Sequence, residues 1–465
     1  MQSGDRSAIL GSVPMKRLVP KVSIPIMFSM MIQALYNVVD SIFVSRFDPN
    51  GLTAVSLAAP FQMLMIALST GMGTGINSLL SRRLGERNPE GAKRASWNGL
   101  FIEVLGSCLF ILFGLLLAGA TMRSVVSENL ANTENILSMG TEYLTIVTAL
   151  STGLFLAIFF ERMLQATGNS VLSMITQLCG AVTNIVLDPI MIFGLLGFPR
   201  LGVAGAAVAT VIGQFVSAAI GFIMNQKKNP ELRLSGKYCA VNRRDMSGII
   251  SVGLPSTVMA SIGSVMNIGM NAILSGFAES NAALNVMSVY FKLQSFIFMP
   301  VFGLSNGIIA IIAYNYGARI KERVYSCIRV ALIWACTIML VGMLIFMVFP
   351  GQLMAVFESE AEAEITAQMT DIGVVAMRII SSSFLLAAVG ITLSTVFQAV
   401  GRGIYSMIMS ICRQLVILLP AAWLIARLTG DVKAVWWCFP IAEFAALGIC
   451  LYYYRKCNRT MLSTL

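Results

Sequence analysis

Asp40 and Asp188 stand out in this sequence because both lie inside long apolar stretches with polar neighbours at helical spacing. On a helix, Gln33, Tyr36, Asn37 and Asp40 share one broad face, and Asn184 stands one turn before Asp188. Ala206 and Thr210 repeat that one-turn spacing in the next apolar stretch. An ionisable group in mid-membrane costs about 2.5–3.5 kcal/mol on insertion scales, so such a residue reads as functional by default. Two carboxylates among amide and hydroxyl oxygens suit either of two chemistries. One of the pair can hold a proton, since burial and a like-charged neighbour both oppose full ionisation. Alternatively, the hard oxygens can coordinate a desolvated Na⁺. The residue types leave both open, along with a purely structural reading in which the aspartates bond neighbouring groups and lock helices together.

Other chemistries are excluded. The chain has no His, so proton transfer falls to carboxylates. It has no GxxxxGK[ST] phosphate loop and no CxxC pair, and the Gly71 to Gly75 run lies mid-span, where small residues serve helix packing. No enzyme signature, ATP-driven step or organic cofactor is expected, which leaves an ion gradient as the driving force. None of the nine Cys falls in an expected outer loop, so no disulfide framework is implied.

The elements that hold these residues are membrane helices. Hydrophobic residues make up 57% of the 465, charged residues 12%, and mean hydropathy is +0.80. Twelve stretches of spanning length follow one another, from about 19–45 to about 434–454. The opening segment lacks a signal peptide's apolar core and cleavage site, so the first helix is expected to stay in the protein. Most of the 32 Lys and Arg fall on one side: Arg6, Lys16, Arg17 and Lys21, then Arg82 to Arg94, then Lys227 to Arg244, Arg319 to Arg329, Arg402, and Arg455 to Arg459. The positive-inside rule makes that side, and both termini, cytoplasmic. It also accounts for the net charge of +10 without nucleic acid, for which no motif is present.

The chain repeats itself. Shifting 24–47 by about 230 positions aligns Pro25 with Pro255, Asn37 with Asn267, Ser45 with Ser275 and Phe47 with Phe277. Similar offsets align Gly71 with Gly303, Gly85 with Gly317 and Gln165 to Gly168 with Gln398 to Gly401. The expected architecture is an all-α polytopic membrane protein of twelve helices in two pseudo-symmetric six-helix lobes, residues 1–224 and 248–465, joined by a cytoplasmic linker at 225–247. Parallel repeats imply a site near the midplane between lobes that rock for alternating access. A channel or structural membrane protein is the alternative class.

The segments PIMFSMMIQALYNVVDSIFVSRF (25–47), GMGTGINSLLSRRLG (71–85), ERMLQATGNS (161–170), NIVLDPIMI (184–192), GVAGAAVATVIGQ (202–214) and VFQAVGRG (396–403) together resemble the MATE (multidrug and toxic compound extrusion) family. Gly263 stands where other branches carry a helix 7 glutamate, so the resemblance is to the bacterial DinF-like branch and points to the first lobe for the cation. It implies an inner-membrane antiporter, acting as a monomer, that exports amphipathic or cationic organic molecules in exchange for H⁺ or Na⁺. By resemblance, Asp40, Asn184, Asp188, Thr210 and the Ala206 carbonyl form the cation group, with Tyr36 beside it. A lipid-linked oligosaccharide flippase of the wider superfamily is the alternative.

The repeat adds an asymmetry: Asp40 maps onto Met270 and Asp188 onto Ala421, so the acidic pair belongs to one lobe only. Glu103 is a further intramembrane acid, and Lys292, Arg413 and Glu443 lie in spans of the second lobe. Expected substrate-lining residues are Gln33, Tyr36, Asn37, Met63, Met65, Met266, Met270, Met287, Lys292 and Arg413, the methionines because flexible thioethers fit many apolar shapes.

Overall fold

Proline at the start of a helix and Asx residues before it set the short turns that fold the chain back on itself. Asp48 Oδ1 accepts the Asn50 amide at 2.8 Å ahead of one helix, and Asn88 Oδ1 accepts the Gly91 amide at 2.8 Å ahead of the next. The computed structural model describes residues 7–126, 132–356, 363–463 and 465; Arg6 lies outside them. Within these, ten helices are long and apolar enough to span a membrane, and two further spans are bent pairs. In chain order they are α1 (Met15–Phe47), α2 (Pro49–Gly85), α3 (Pro89–Leu116), the bent α4 (Thr133–Ala149 with Thr152–Ala166), α5 (Ser170–Phe193) and α6 (Val203–Lys228). The second lobe repeats the pattern with α7 (Arg243–Leu274), α8 (Ser280–Gly317), α9 (Lys321–Val348), the bent α10 (Ala363–Ser381 with Phe384–Ala399), α11 (Gly403–Thr429) and α12 (Cys438–Cys457). The bends of 45° in α4 and 49° in α10 fall at equivalent places, which carries the pseudo-symmetry into the backbone.

Helices α6 and α7 run past the apolar stretches, so the connecting segment is shorter than the expected linker. It is also fixed to the first lobe: Trp97 Nε1 donates to the Ser235 carbonyl at 2.9 Å, Asn98 Nδ2 to the Ala240 carbonyl at 3.0 Å, and Leu232 is buried beside Ile76.

The lobes meet on the basic side, α1 against α8 and α2 against α7. Backbones come close enough there that side chains are excluded: a Cβ on Gly303 would strike Met27, one on Gly307 Ser23, one on Gly85 the Tyr314 carbonyl, and one on Gly75 the Ile249 carbonyl. Hydrogen bonds reinforce the seam. Ser78 Oγ donates to the Gln398 carbonyl at 2.8 Å, and Asp245, fully buried, accepts Arg83 Nη2 and Arg94 Nε, both at 3.1 Å. The short helix Ala8–Ser12 lies across it: the Leu10 carbonyl accepts Asn315 Nδ2 at 2.9 Å and Arg323 Nη2 at 3.0 Å, while the Leu10 side chain abuts Gly168.

Toward the opposite side the same helix faces are uncovered. Asn37 and Ser41 on α1, and Asn285, Ser288 and Lys292 on α8, are exposed although they continue the stripes that carry Ser23 and Gly303. A cleft therefore opens between the lobes away from the basic side.

Asp245→Asn keeps the shape but removes the charge that two arginines of the other lobe share, weakening the seam by about 1–3 kcal/mol, since both arginines are partly solvated. Spin labels placed on α3 and α7 at the basic side should report a longer-distance population in the variant. An unchanged distance distribution would show that the glycine contacts alone hold this side shut.

Candidate functional site

The expected polar residues of the first lobe come together because α5 and α6 touch backbone to backbone. Gly180 and Gly213 face each other, and a Cβ on Gly213 would lie 2.7 Å from the Gly180 carbonyl and 3.2 Å from the Asn184 Cβ. That approach brings Thr210 to Asn184: Asn184 Nδ2 donates to Thr210 Oγ1 at 3.3 Å and to Asp188 Oδ1 at 3.2 Å. Asp188 is fully buried, Asn184 and Thr210 nearly so. Pro189 follows Asp188 within a continuous helix, so one backbone hydrogen bond is missing beside the carboxylate.

Asp40 joins them from α1, which packs along α5. The two carboxylates are near enough to repel each other, and Tyr36, one turn before Asp40 on α1, lies within reach of both charges. Three buried oxygens of this group, Asp40 Oδ1, Asn184 Oδ1 and Asp188 Oδ2, have no hydrogen-bond partner among the described residues. Orphaned acceptors in a dry interior are costly, about 1–3 kcal/mol each, and more for a charged group. The arrangement therefore fits a proton or a small hard cation. Ala206 is also buried, one turn before Thr210, but within a continuous helix whose carbonyls point along the axis to the next turn. The side-chain oxygens are the better-directed donors.

Tyr143 and Gln62 belong to this group and were not foreseen. Tyr143 is buried on α4, feels the charges of Asp40 and Asp188, and donates from its hydroxyl to Gln62 Oε1 at 3.3 Å. Gln62, an amide in the middle of an apolar helix, was the available signal.

The remaining candidates divide. Met63 (56% exposed), Asn37 and Lys292 are exposed. Met65 is buried in the first lobe, and Met266, Met270 and Met287 are packed in the core of the second, so in this conformation these four are core residues and do not line the cleft. A thioether suits a packed interior as well as a cavity wall, and helical spacing alone does not say which face meets the other lobe. Arg413, in the π-helical stretch Cys412–Leu418 of α11, is turned into its own lobe, where its Nη1 pairs with Glu443 Oε1 at 3.3 Å. Glu103 is fully buried and accepts Ser69 Oγ at 2.9 Å on Oε2.

Comparison with known proteins now adds to the geometry. The MatE family profile matches residues 25–190 and 255–424, one copy in each lobe. The chain belongs to the MatE family. Among its relatives, the multidrug export protein MepA of Staphylococcus haemolyticus (strain JCSC1435) is 26% identical over 419 residues, covering 89% of this chain and 88% of its own length. A crystal structure described as MATE in complex with MaL6 superposes with a TM-score of 0.89 at 25% identity, over the whole of both chains. So does an outward-facing conformation of a multidrug resistance MATE family transporter of the MOP superfamily, also with a TM-score of 0.89, 25% identity and full coverage. This MatE chain thus holds its polar group inside one lobe, through the Gly180–Gly213 contact.

Gly213→Val should force α5 and α6 apart and cost about 1–3 kcal/mol by overpacking. Thermal denaturation of the purified protein should show a lower midpoint than wild type, while Gly448→Val, in open space, should shift it little. Equal midpoints for the two variants would mean that the α5–α6 contact does not constrain the site.

Proposed function

We propose that this MatE chain is a secondary antiporter that exports amphipathic organic molecules in exchange for protons bound at Asp40 and Asp188. The observation that carries the reading is the carboxylate pair in one lobe, Asp188 buried and Asp40 half-buried, each with an orphaned oxygen, beside a cleft between two lobes closed on one side. The multidrug export function named for the Staphylococcus relative supports the direction and the breadth of substrate. With the basic side cytoplasmic, the conformation is open outward.

Helix α1 connects the two halves of the cycle. One of its faces carries Asp40 toward α5, and another carries Ser23 and Met27 against Gly307 and Gly303 of α8. Pro25 lies between those two contact residues, where the helix lacks one backbone hydrogen bond and bends at low cost. A proton shared by Asp40 and Asp188 relieves their repulsion. The resulting change in α1 is felt at Ser23 and Met27, which biases the seam and lets the lobes rock.

Proton is favoured over Na⁺ by how the amide is used. Asn184 turns its Nδ2 to both Asp188 and Thr210, committing to hydrogen bonds two oxygens that a desolvated Na⁺ would need. A Na⁺ ion held here would be bound by Asp40, Asp188, Thr210 and Asn184 after the amide flips.

Asp40→Asn and Asp188→Asn should each reach the membrane and abolish export of an amphipathic dye from a pump-deficient host. The double variant should be little worse than either single one, because the losses of residues that share one site do not add. Separate, additive losses would assign the carboxylates to different sites.

In proteoliposomes of known orientation, an imposed proton gradient without Na⁺ should drive transport of the same dye. Transport that requires a Na⁺ gradient and ignores pH would overturn the choice of ion.

A further inference from the structure

The first lobe buries a further carboxyl that the exchange of protons at Asp40 and Asp188 does not use. Glu103 stands near the middle of α3, about 21 Å from its basic end by helical rise. Its Oε2 accepts Ser69 Oγ of α2 at 2.9 Å, and its Oε1 has no hydrogen-bond partner among the described residues. An ionised carboxylate in a dry interior needs several donors or a paired cation, and Ser69 alone supplies neither. The charge that bears on Glu103 is the guanidinium of Arg162, on the second half of α4, which is felt through space without forming an ion pair. From the other elements packed on α3, the first half of α4 carries Tyr143, bonded to Gln62, and the acid of α7, Asp245, is held by Arg83 and Arg94 at the basic end.

Arg162 is the complementary case. It is buried, its Nη1 donates to Gln165 Oε1 at 2.9 Å, and its Nε has no partner among the described residues. Gln165 donates in turn to Glu161 Oε1 at 2.7 Å, so the amide stands between that acid and the guanidinium. A buried acceptor and a buried donor, each with an atom to spare, thus share one lobe without meeting. Their order in depth follows α2. Gln62 touches Tyr143 of the aspartate group; Ser69 lies two turns further toward the basic side on the same face; Gly73 comes one turn later, where a Cβ would lie 3.0 Å from Arg162 Cγ. Glu103 therefore comes after the aspartates and before Arg162. Shared packing does not require these groups. Laying Pro89–Leu116 on Lys321–Val348 sets Glu103 on Ala335, the register of Gly71 on Gly303 sets Ser69 on Val301, and that of Gln165 on Gln398 sets Arg162 on Thr395, all three buried.

We propose that Glu103 is a second proton-carrying site of the first lobe, protonated in this conformation and discharged to the basic side when the lobe rearranges and Arg162 pairs with it. The step balances. The O–H bond of the carboxyl breaks, the proton leaves to water on the basic side, and the carboxylate left behind is neutralised by the guanidinium, Oε1 and Nε satisfying each other. Until then the buried cation lies between Glu103 and the basic side and repels a proton, which opposes leakage. The proposal rests on the proton-exchange reading above and adds a second proton to each cycle.

Infrared spectra of the purified protein in lipid at neutral pH test the protonation without any transport. Wild type minus Glu103→Gln should show the carbonyl stretch of a protonated carboxyl, shifted by Ser69→Ala and by exchange into heavy water. Carboxylate bands in its place, or no difference, overturn the proposal. Glu103→Gln keeps the size and the bond to Ser69, so its thermal midpoint should match that of wild type. If it does not fold, Glu103→Asp gives the same readout as a shifted band. Transport tests the discharge. In proteoliposomes, the number of protons moved per dye molecule, read from the reversal potential, should fall roughly twofold in Glu103→Gln, which leaves only the proton shared by Asp40 and Asp188. Arg162→Gln should show the same fall while keeping the infrared band, and Glu103→Asp should keep the wild-type ratio. An unchanged ratio in Glu103→Gln sinks the proposal alone. Wild type that shows the band but no proton-driven transport sinks the export reading instead.

Discussion

Two carboxylates held within reach of each other in one lobe, Asp188 buried and Asp40 half-buried, repel, and the rest of the molecule can be understood as what tolerates that repulsion. Placing Asp188 against Asn184 and Thr210 requires α5 and α6 to approach at Gly180 and Gly213. Placing Asp40 within reach requires α1 to lie along α5. Because α1 also forms half of the seam to α8, Asp40, the residue proposed to take the ion, and the residues that hold the lobes together share one helix that carries a proline. Coupling of this kind needs no long wire of contacts. It needs one element with two faces and a local weakness at one of them, which Pro25 supplies between the seam residues Ser23 and Met27.

Pseudo-symmetry makes the fold economical, and the chemistry lies where the symmetry is broken. Met270, the counterpart of Asp40, is a fully buried core residue, and Ala421, the counterpart of Asp188, packs against the same core. The second lobe is thus solid where the first is polar. It has its own break, Lys292 opposite Pro60, on the face that looks across the cleft. A transporter needs one coupling site and one substrate wall, and a duplicated fold supplies spare positions for each.

Much of this was legible in the sequence because lipid is a demanding solvent. Span count and the two-lobe repeat follow from length and offset, one-turn spacing pairs Asn184 with Asp188, and the family resemblance joins these to Asp40 and Thr210; the twelve-span fold with its equivalent bends in α4 and α10 bears out the architecture. Where reasoning failed, it failed on rotation. Met266, Met270 and Met287 read as cavity residues by type but are turned into the core, and Arg413 reads as a lining charge but is satisfied by Glu443. Periodicity groups residues on a face without saying what the face meets. Tyr143 was missed for a related reason: its bond to Gln62 joins helices whose adjacency depends on tertiary packing.

The two ends of the lobe interface are built from different materials, and this bears on how the cycle runs. On the basic side glycines at 75, 85, 303 and 307 let backbones meet, and dispersion over such close contacts is reinforced by the buried Asp245 with its two arginines. On the opposite half the facing stripes carry Asn37, Ser41, Asn285, Ser288 and Lys292, larger and polar groups that hydrate well when open and pack poorly when closed. The closure on the basic side is the one the structure contains, and on the proposed reading it defines the outward-open state. On the same reading, protonation at Asp40 and Asp188 acts on the seam through α1, which carries both Asp40 and the seam residues. A molecule seated in the cleft would, on that reading, bear on the outer half as it closes. Ion and substrate thereby act on opposite ends of one interface, which is the physical requirement for exchange.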